Sequence, residues 1–183
     1  MIGGDQRARF SALVTPHLSD ALTMALWLTG NRADAEDVIQ ETCLRAFRAI
    51  DDYSGGGARA WVLTITRNTA YSWLRKNRRP DLVALDEVGA EESVERGLEL
   101  LSTDHASPEA ELIAKTETER FRAAIAKLAP EFRETLVLRD IQGLEYREIA
   151  QITGTPVGTV MSRLARGRRH LIRSLSEKLD GPK

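Results

Sequence analysis

Apolar residues recur along this chain at steps of three and four, and hardly any stretch alternates with period two. The pattern predicts an all-α protein. Phe10, Leu13 and Val14 mark a first helix that stops near Pro16, and Ser19 and Asp20 cap a second through Leu22, Ala25, Leu26 and Trp27 to Gly30. Asn31 caps a third, with Ala35, Val38, Ile39, Thr42, Ala46, Phe47 and Ile50 on its apolar side. The turn-rich DDYSGGG loop, residues 51–57, precedes a long helix from about Ala58 to Arg78. Trp61, Val62, Ile65, Trp73 and Leu74 fit its buried side; Thr64, Arg67, Tyr71 and Arg75 share another. Pro80 ends it. Ser107 and Pro108 open a helix to about Leu128, and Pro130 opens the next, whose Leu136, Val137 and Ile141 should close a core with Phe121. Last come two helices separated by a tight turn. Glu145 to Thr153 has apolar Ile149, Ala150 and Ile152 opposite charges, Gly154 stops it, and Thr155 and Pro156 suit the N-cap and first position of a second helix bearing Val157, Val160, Leu164 and Leu171.

This arrangement predicts two small helical domains, residues 1–80 and 108–183, joined by a flexible linker at 81–107 that is poor in β-branched and aromatic residues. Charge supports the division. The chain carries 26 basic and 27 acidic residues, yet between Asp81 and Leu112 ten acids face one base, Arg96. That stretch is therefore at minus nine, and the remainder is at plus eight. One cysteine excludes an internal disulfide, and three scattered histidines make a metal set improbable, so no metal or cofactor is expected. No apolar run approaches the roughly 18 residues of a membrane span. A cytoplasmic protein without membrane insertion is the expectation. There is no nucleophile–base set and no phosphate loop, so neither an enzyme nor a small-molecule substrate is expected.

The basic stretches carry the chemistry. Arg163, Arg166, Arg168, Arg169 and Arg173 follow one another without an acid on the second helix of the helix-turn-helix. In a major groove the first turns of such a helix meet base edges, which points to Thr159, Ser162, Arg163 and Arg166, with Thr155 at the turn in the same duplex-facing set. Arg168 and Arg169 suit phosphate. A solvated basic helix, a membrane surface and a partner groove are the alternatives. On the long helix, Arg67, Arg75, Lys76, Arg78 and Arg79 are interleaved with aromatics, as single-stranded nucleic acid requires. Trp61 and Trp73 equally suit a core, whereas Tyr53 and Tyr71 suit stacking. Asp37, Gln40 and Glu41 form a strip on the third helix that is either a solvated face or a dock for a basic partner. Cys43, beside the apolar stripe, suits packing rather than reactivity.

Three stretches in this order, ADAEDVIQETCLRAF at 33–47, ARAWVLTITRNTAYSWLRKNRR at 58–79 and the segment 128–171, resemble the bacterial sigma factors of the extracytoplasmic-function (ECF) group. The resemblance covers most of residues 6–79 and 107–175. It implies a cytoplasmic transcription-initiation subunit, often of a stress response, that docks on the clamp and flap regions of core RNA polymerase. Asp37, Gln40 and Glu41 become the clamp contacts. Tyr53, Trp61, Arg67, Asn68, Tyr71, Arg75 and Lys76 become the residues that capture an unpaired minus-10 strand, and the helix-turn-helix reads minus-35 duplex. The resemblance also implies promoter DNA and an anti-sigma factor as partners. Met161 stands where many relatives have lysine, Gly167 interrupts the recognition helix, and the triple glycine at 55–57 departs from the usual loop. The rival readings are a helix-turn-helix regulator that never meets polymerase, and a decoy that binds the inhibitor of a sigma factor.

Overall fold

The computed structural model describes residues 2–77 and 118–176, and within them every regular element is helical. Helix α1 spans Ile2–Leu13 and runs through a 3-10 turn at Thr15–His17 into α2, Leu18–Thr29. Ser19 and Asp20 do not cap α2. The cap position is His17, without a side-chain bond, and Asp20 lies inside the helix, where it pairs with Arg59. Gly30 closes α2 in the left-handed conformation, φ 84°, which costs a residue without Cβ nothing. Asn31 caps α3, Arg32–Arg48, its side-chain oxygen accepting the Asp34 N–H at 2.9 Å. After the glycine loop comes α4, Ala58–Asn77.

Among the described residues the second unit has four helices. Residues 118–126 form α5, and Pro130 opens α6, Pro130–Leu136, which widens into a π-helical turn at Val137–Ile141. Helix α7, Tyr146–Thr153, starts with the Glu148 carboxylate accepting the Glu145 N–H at 2.8 Å and stops at left-handed Gly154. Helix α8 spans Val157–Ser176. It begins one residue later than its turn chemistry suggested: the Thr159 and Val160 N–H groups bond the Pro156 carbonyl, and the Thr155 hydroxyl bonds Thr153 at 2.8 Å. The expected starts and stops at Arg78, Pro80, Ser107 and Pro108, and the linker at 81–107, lie outside the described residues.

Two apolar clusters hold this together. The smaller joins Val14, Ala21, Ala46, Ile50 and Val62, with half-buried Phe10 and Trp61 packed on it. The larger runs from Met24, Leu28, Val38 and Leu63 of the first unit to Ile125, Leu136, Leu138, Ile149 and Leu164 of the second. Each such fully buried side chain contributes about 1.5–3 kcal/mol of burial free energy. The two units therefore share a core, with α2 and α4 against α6 and α7. Phe121 is not part of it. It is 40% exposed, and the Ile125 position one turn on is buried instead. Gly167, within α8, lies in close approach to α6: a Cβ there would be 3.0 Å from Leu136 Cδ1 and 3.4 Å from Phe132 Cβ.

Candidate nucleic-acid interface

Helix α4 buries Ala60, Val62, Leu63, Thr66, Thr69 and Ala70, and this face fixes where the others point. Asn68, Arg75 and Lys76 stand exposed; Arg67 and Tyr71 are half-buried and turn toward the second unit. The Arg67 guanidinium lies 4.8 Å from the Tyr71 ring centroid. Tyr53 and Trp61 pair off at the other end, ring centroids 5.0 Å apart, with the Tyr53 hydroxyl donating to the Gly56 carbonyl at 2.6 Å. Trp61 thus has a core side and an aromatic partner, and Trp73 is half-buried against the shared core.

On α8 the buried stripe is Val160, Leu164, Gly167 and Leu171. Ser162, Arg166 and Arg169 are exposed on the opposite side, Thr159 and Thr155 are half-buried, and Met161 is 53% exposed. Arg168 faces outward but has a partner already. Asp140 accepts from its Nε and Nη2 at 3.0 and 2.5 Å, and that bond holds the guanidinium pKa above its ordinary value.

The arrangement turns on Glu134, whose side chain is 1% exposed. It accepts two hydrogen bonds from Arg67, at 2.8 and 3.1 Å, and lies 3.9 Å from Arg163. One buried carboxylate so holds an arginine of α4 and an arginine of α8. Burial, and next the negative charge of Glu134, push the Tyr71 hydroxyl pKa far up, so it stays protonated. Around this group lies a cleft of about 540 Å³ lined by Arg67, Tyr71, Arg75, Thr153, Thr155 and Arg163. Residues separately expected to meet single strand and duplex thus face one space. The other expected contacts, Tyr53, Trp61, Asn68, Lys76, Thr159, Ser162, Arg166, Arg168 and Arg169, do not line it.

The boundary has two further clasps. Arg59 donates to Asp20 at 2.6 Å and to the Gln142 carbonyl at 2.8 Å, while the Gln142 amide donates to the Asp20 carbonyl at 2.6 Å. Arg133 donates to the Leu128 and Ala126 carbonyls in its own unit and to the Trp27 carbonyl at 3.4 Å in the other. Desolvation lowers its pKa. Glu134, Arg59 and Asp140, and the reach of Arg133 to Trp27, leave no periodic trace in the sequence because the partners lie far along the chain.

On α3, Asp37 and Gln40 are exposed beside Leu44, 53% exposed, and Glu41 bonds Arg45 at 2.7 Å, which lowers the Glu41 pKa. The strip is polar with one apolar member. Cys43 is half-buried and desolvation raises its thiol pKa. No group of three His, Cys, Asp or Glu able to hold a metal occurs among the described residues, and no described helix is long and apolar enough to cross a membrane.

A helical unit with a basic, aromatic helix precedes a helix-turn-helix unit, and the two match, in that order, two regions of the sigma-70 class. Residues 13–80 match the family model for Sigma-70 region 2, and residues 118–171 that for Sigma-70 region 4. The RNA polymerase sigma-H factor of Pseudomonas aeruginosa is 33% identical over 96% of this chain and 90% of its own length. The ECF RNA polymerase sigma-E factor of Salmonella typhimurium is 34% identical over 90% of this chain and 85% of its own. The ECF sigma factor SigE of Mycolicibacterium smegmatis is 35% identical over 92% of this chain, which spans 63% of that longer relative. The solved sigma factor RpoE of Bartonella quintana, in complex with the anti-sigma factor NepR, superposes with a TM-score of 0.69 at 26% identity, over 91% of this chain and 96% of that one. CnrH in complex with the cytosolic domain of CnrY gives 0.64 at 28% identity, over 96% and 92%. The chain belongs to the ECF family of RNA polymerase sigma factors.

Proposed function

We propose that this chain is an alternative sigma factor that joins core RNA polymerase and directs initiation at promoters with a minus-35 duplex element and a minus-10 element captured unpaired. The observation that carries this reading is the pair of arginine-bearing helices, α4 and α8, on two units that match sigma regions 2 and 4 in order. Residues 1–80 form the first domain, 81–107 the linker and 108–183 the second domain. The division of labour follows the chemistry. Asp37, Gln40 and Glu41 dock on the polymerase clamp; Tyr53, Trp61, Arg67, Asn68, Tyr71, Arg75 and Lys76 hold the minus-10 strand, rings against bases and cations along phosphate. Thr155, Thr159, Ser162, Arg163 and Arg166 face minus-35 base edges, and Arg168 and Arg169 its phosphates. Melting needs no catalytic group here, since binding of unstacked bases offsets unpairing. The protein works in the cytoplasm, is not itself an enzyme, and needs no metal or cofactor.

An anti-sigma factor completes the proposal, supported by the two solved relatives whose structures contain one. The test is transcription in vitro from a library of bacterial promoters, with core enzyme alone and with this chain added. New start sites that share two elements are expected. Absence of any start, together with failure to co-purify core enzyme, would leave a polymerase-independent regulator or a decoy as the reading.

A further inference from the structure

The first turns of α8 present two parallel rows to the outside. Gly158, Ser162 and Arg166, four positions apart, form one; Val157, Met161 and Ala165 form the other, and all six are exposed. The second row offers only carbon and one thioether. Val157 is 38% and Met161 53% exposed, so neither belongs to the buried stripe of this helix, which is Val160, Leu164, Gly167 and Leu171. A Cβ at Gly158 would meet nothing within 4 Å, so the start of the rows stands open. The Ser162 hydroxyl donates to the Thr159 carbonyl at 3.0 Å, which leaves its oxygen free to accept. The first exposed guanidinium along α8 is Arg166; Arg163 before it is half-buried, 3.9 Å from Glu134. The exposed side chains at 157, 161 and 162 therefore carry no N–H donor of the kind that reads guanine O6 and N7.

In a major groove the apolar feature of a base edge is the C5-methyl group of thymine. The geometry points to a methyl-reading strip: Val157, Met161 and Ala165 cover pyrimidine C5-methyl groups in the duplex element, and this makes A·T pairs preferred under the first turns of α8. The inference rests on the reading of α8 as the helix that meets minus-35 duplex, and it adds to that face three residues that hydrogen-bonding chemistry does not select. Charge argues for duplex as the occupant, because exposed Arg166 and Arg169 lie on the same side of the helix and draw phosphate toward it. Val157 and Met161, about 5–6 Å apart at Cβ, span one to two base-pair steps of about 3.4 Å, so neighbouring pairs fall under the row.

The experiment uses the full chain with core enzyme and a promoter taken from the transcription assay, rebuilt with the thymines of its minus-35 element replaced one at a time by uracil. Uracil lacks only the methyl group and keeps its pairing. Binding of each template is measured by competition for the parent, for Met161→Ala and for Ile172→Ala, the last trimming a residue that is 65% exposed farther along α8. We expect uracil at one or two positions to weaken the parent about fourfold for each methyl lost, Met161→Ala to bind the two templates alike, and Ile172→Ala to keep the parent's ratio. Because the ratio is internal to each protein, a general loss of affinity does not move it. At the responding position, 5-methylcytosine against cytosine identifies the source of the methyl: a gain of about fourfold means that either methylated pyrimidine is taken, and no gain means thymine alone. Uracil without effect at every position in the parent overturns the proposal, as does a loss that persists unchanged in Met161→Ala or a minus-35 element without an A·T pair. Those outcomes leave the new start sites, and with them the sigma reading, standing; absence of any start removes both.

Discussion

Arg163 and Arg169 lie under two turns apart on α8 in opposite situations. Arg163 is half-buried beside a buried carboxylate, and Arg169 is exposed. In complex with polymerase, where the proposal has Arg163 at a base edge, Arg163→Ala should cost about 1–3 kcal/mol and relax preference at one base pair of the minus-35 element. Arg169→Ala should weaken all sequences alike and flatten the salt slope by about one. Binding titrations of promoter variants with the holoenzyme separate the two, and the reverse pattern would exchange their roles. Cys43 gives a pH-dependent counterpart. Because desolvation raises its thiol pKa, less thiolate is present at any given pH than in a free cysteine, so alkylation by iodoacetamide near pH 8 should be slower than for glutathione and should accelerate on unfolding. A rate equal to glutathione's in the native protein would mean the side chain is not desolvated. Single residues were the scale at which the sequence was least legible. Asn31 was readable as a cap because its partner is three positions away, whereas Glu134 and Arg67 are 67 positions apart and nothing local links them.

The elements themselves were largely written in the chain. Asn31, Gly30, Pro130 and Gly154 mark ends because they act on the backbone within one turn, and the structure uses each of them so. The misses share a cause. Asp20 was free to cap α2 but found Arg59 across the fold, and Thr155 found Thr153 instead of the first N–H groups of α8. Phe121 was expected to close the core with Leu136, Val137 and Ile141, yet Ile125 one turn on is the buried residue, leaving the ring at an apolar groove with Ile172. Gly167 shows how packing overrides propensity. Alanine would favour the helix by about 1 kcal/mol, but its Cβ would crowd Leu136 Cδ1, so the two effects should nearly cancel. Gly167→Val adds further bulk against Leu136 and Phe132 and should destabilise by about 1–3 kcal/mol. Urea unfolding of both variants checks this; a stabilising valine would mean α8 does not press on α6. Asn31→Ala should lose about 1 kcal/mol in the same assay through its missing cap.

At the scale of the whole molecule, the two units share one apolar core in this structure, and that sets a geometric conflict with the proposed task. Two promoter elements separated by about two duplex turns are on the order of 70 Å apart, while a compact chain of this length has a radius of gyration near about 16 Å. The closed form therefore cannot reach both. The segment 81–107 has a contour limit of about 90 Å, so covalent connectivity permits the separation once the boundary between α2, α4, α6 and α7 opens. Core polymerase would open it by docking the two units on separate surfaces and replacing the contacts they make with each other. Dyes attached at exposed positions, Gln40 being avoided as a docking candidate, report the change: one at Glu36 of α3 and one at Ser176 of α8 should transfer energy efficiently in the free chain and lose most of that transfer on adding core enzyme. Transfer should fall in step with the appearance of transcription as core enzyme is titrated. An active holoenzyme that keeps the transfer of the free protein would mean that both elements are read without the units parting, and the distance argument for opening would fail.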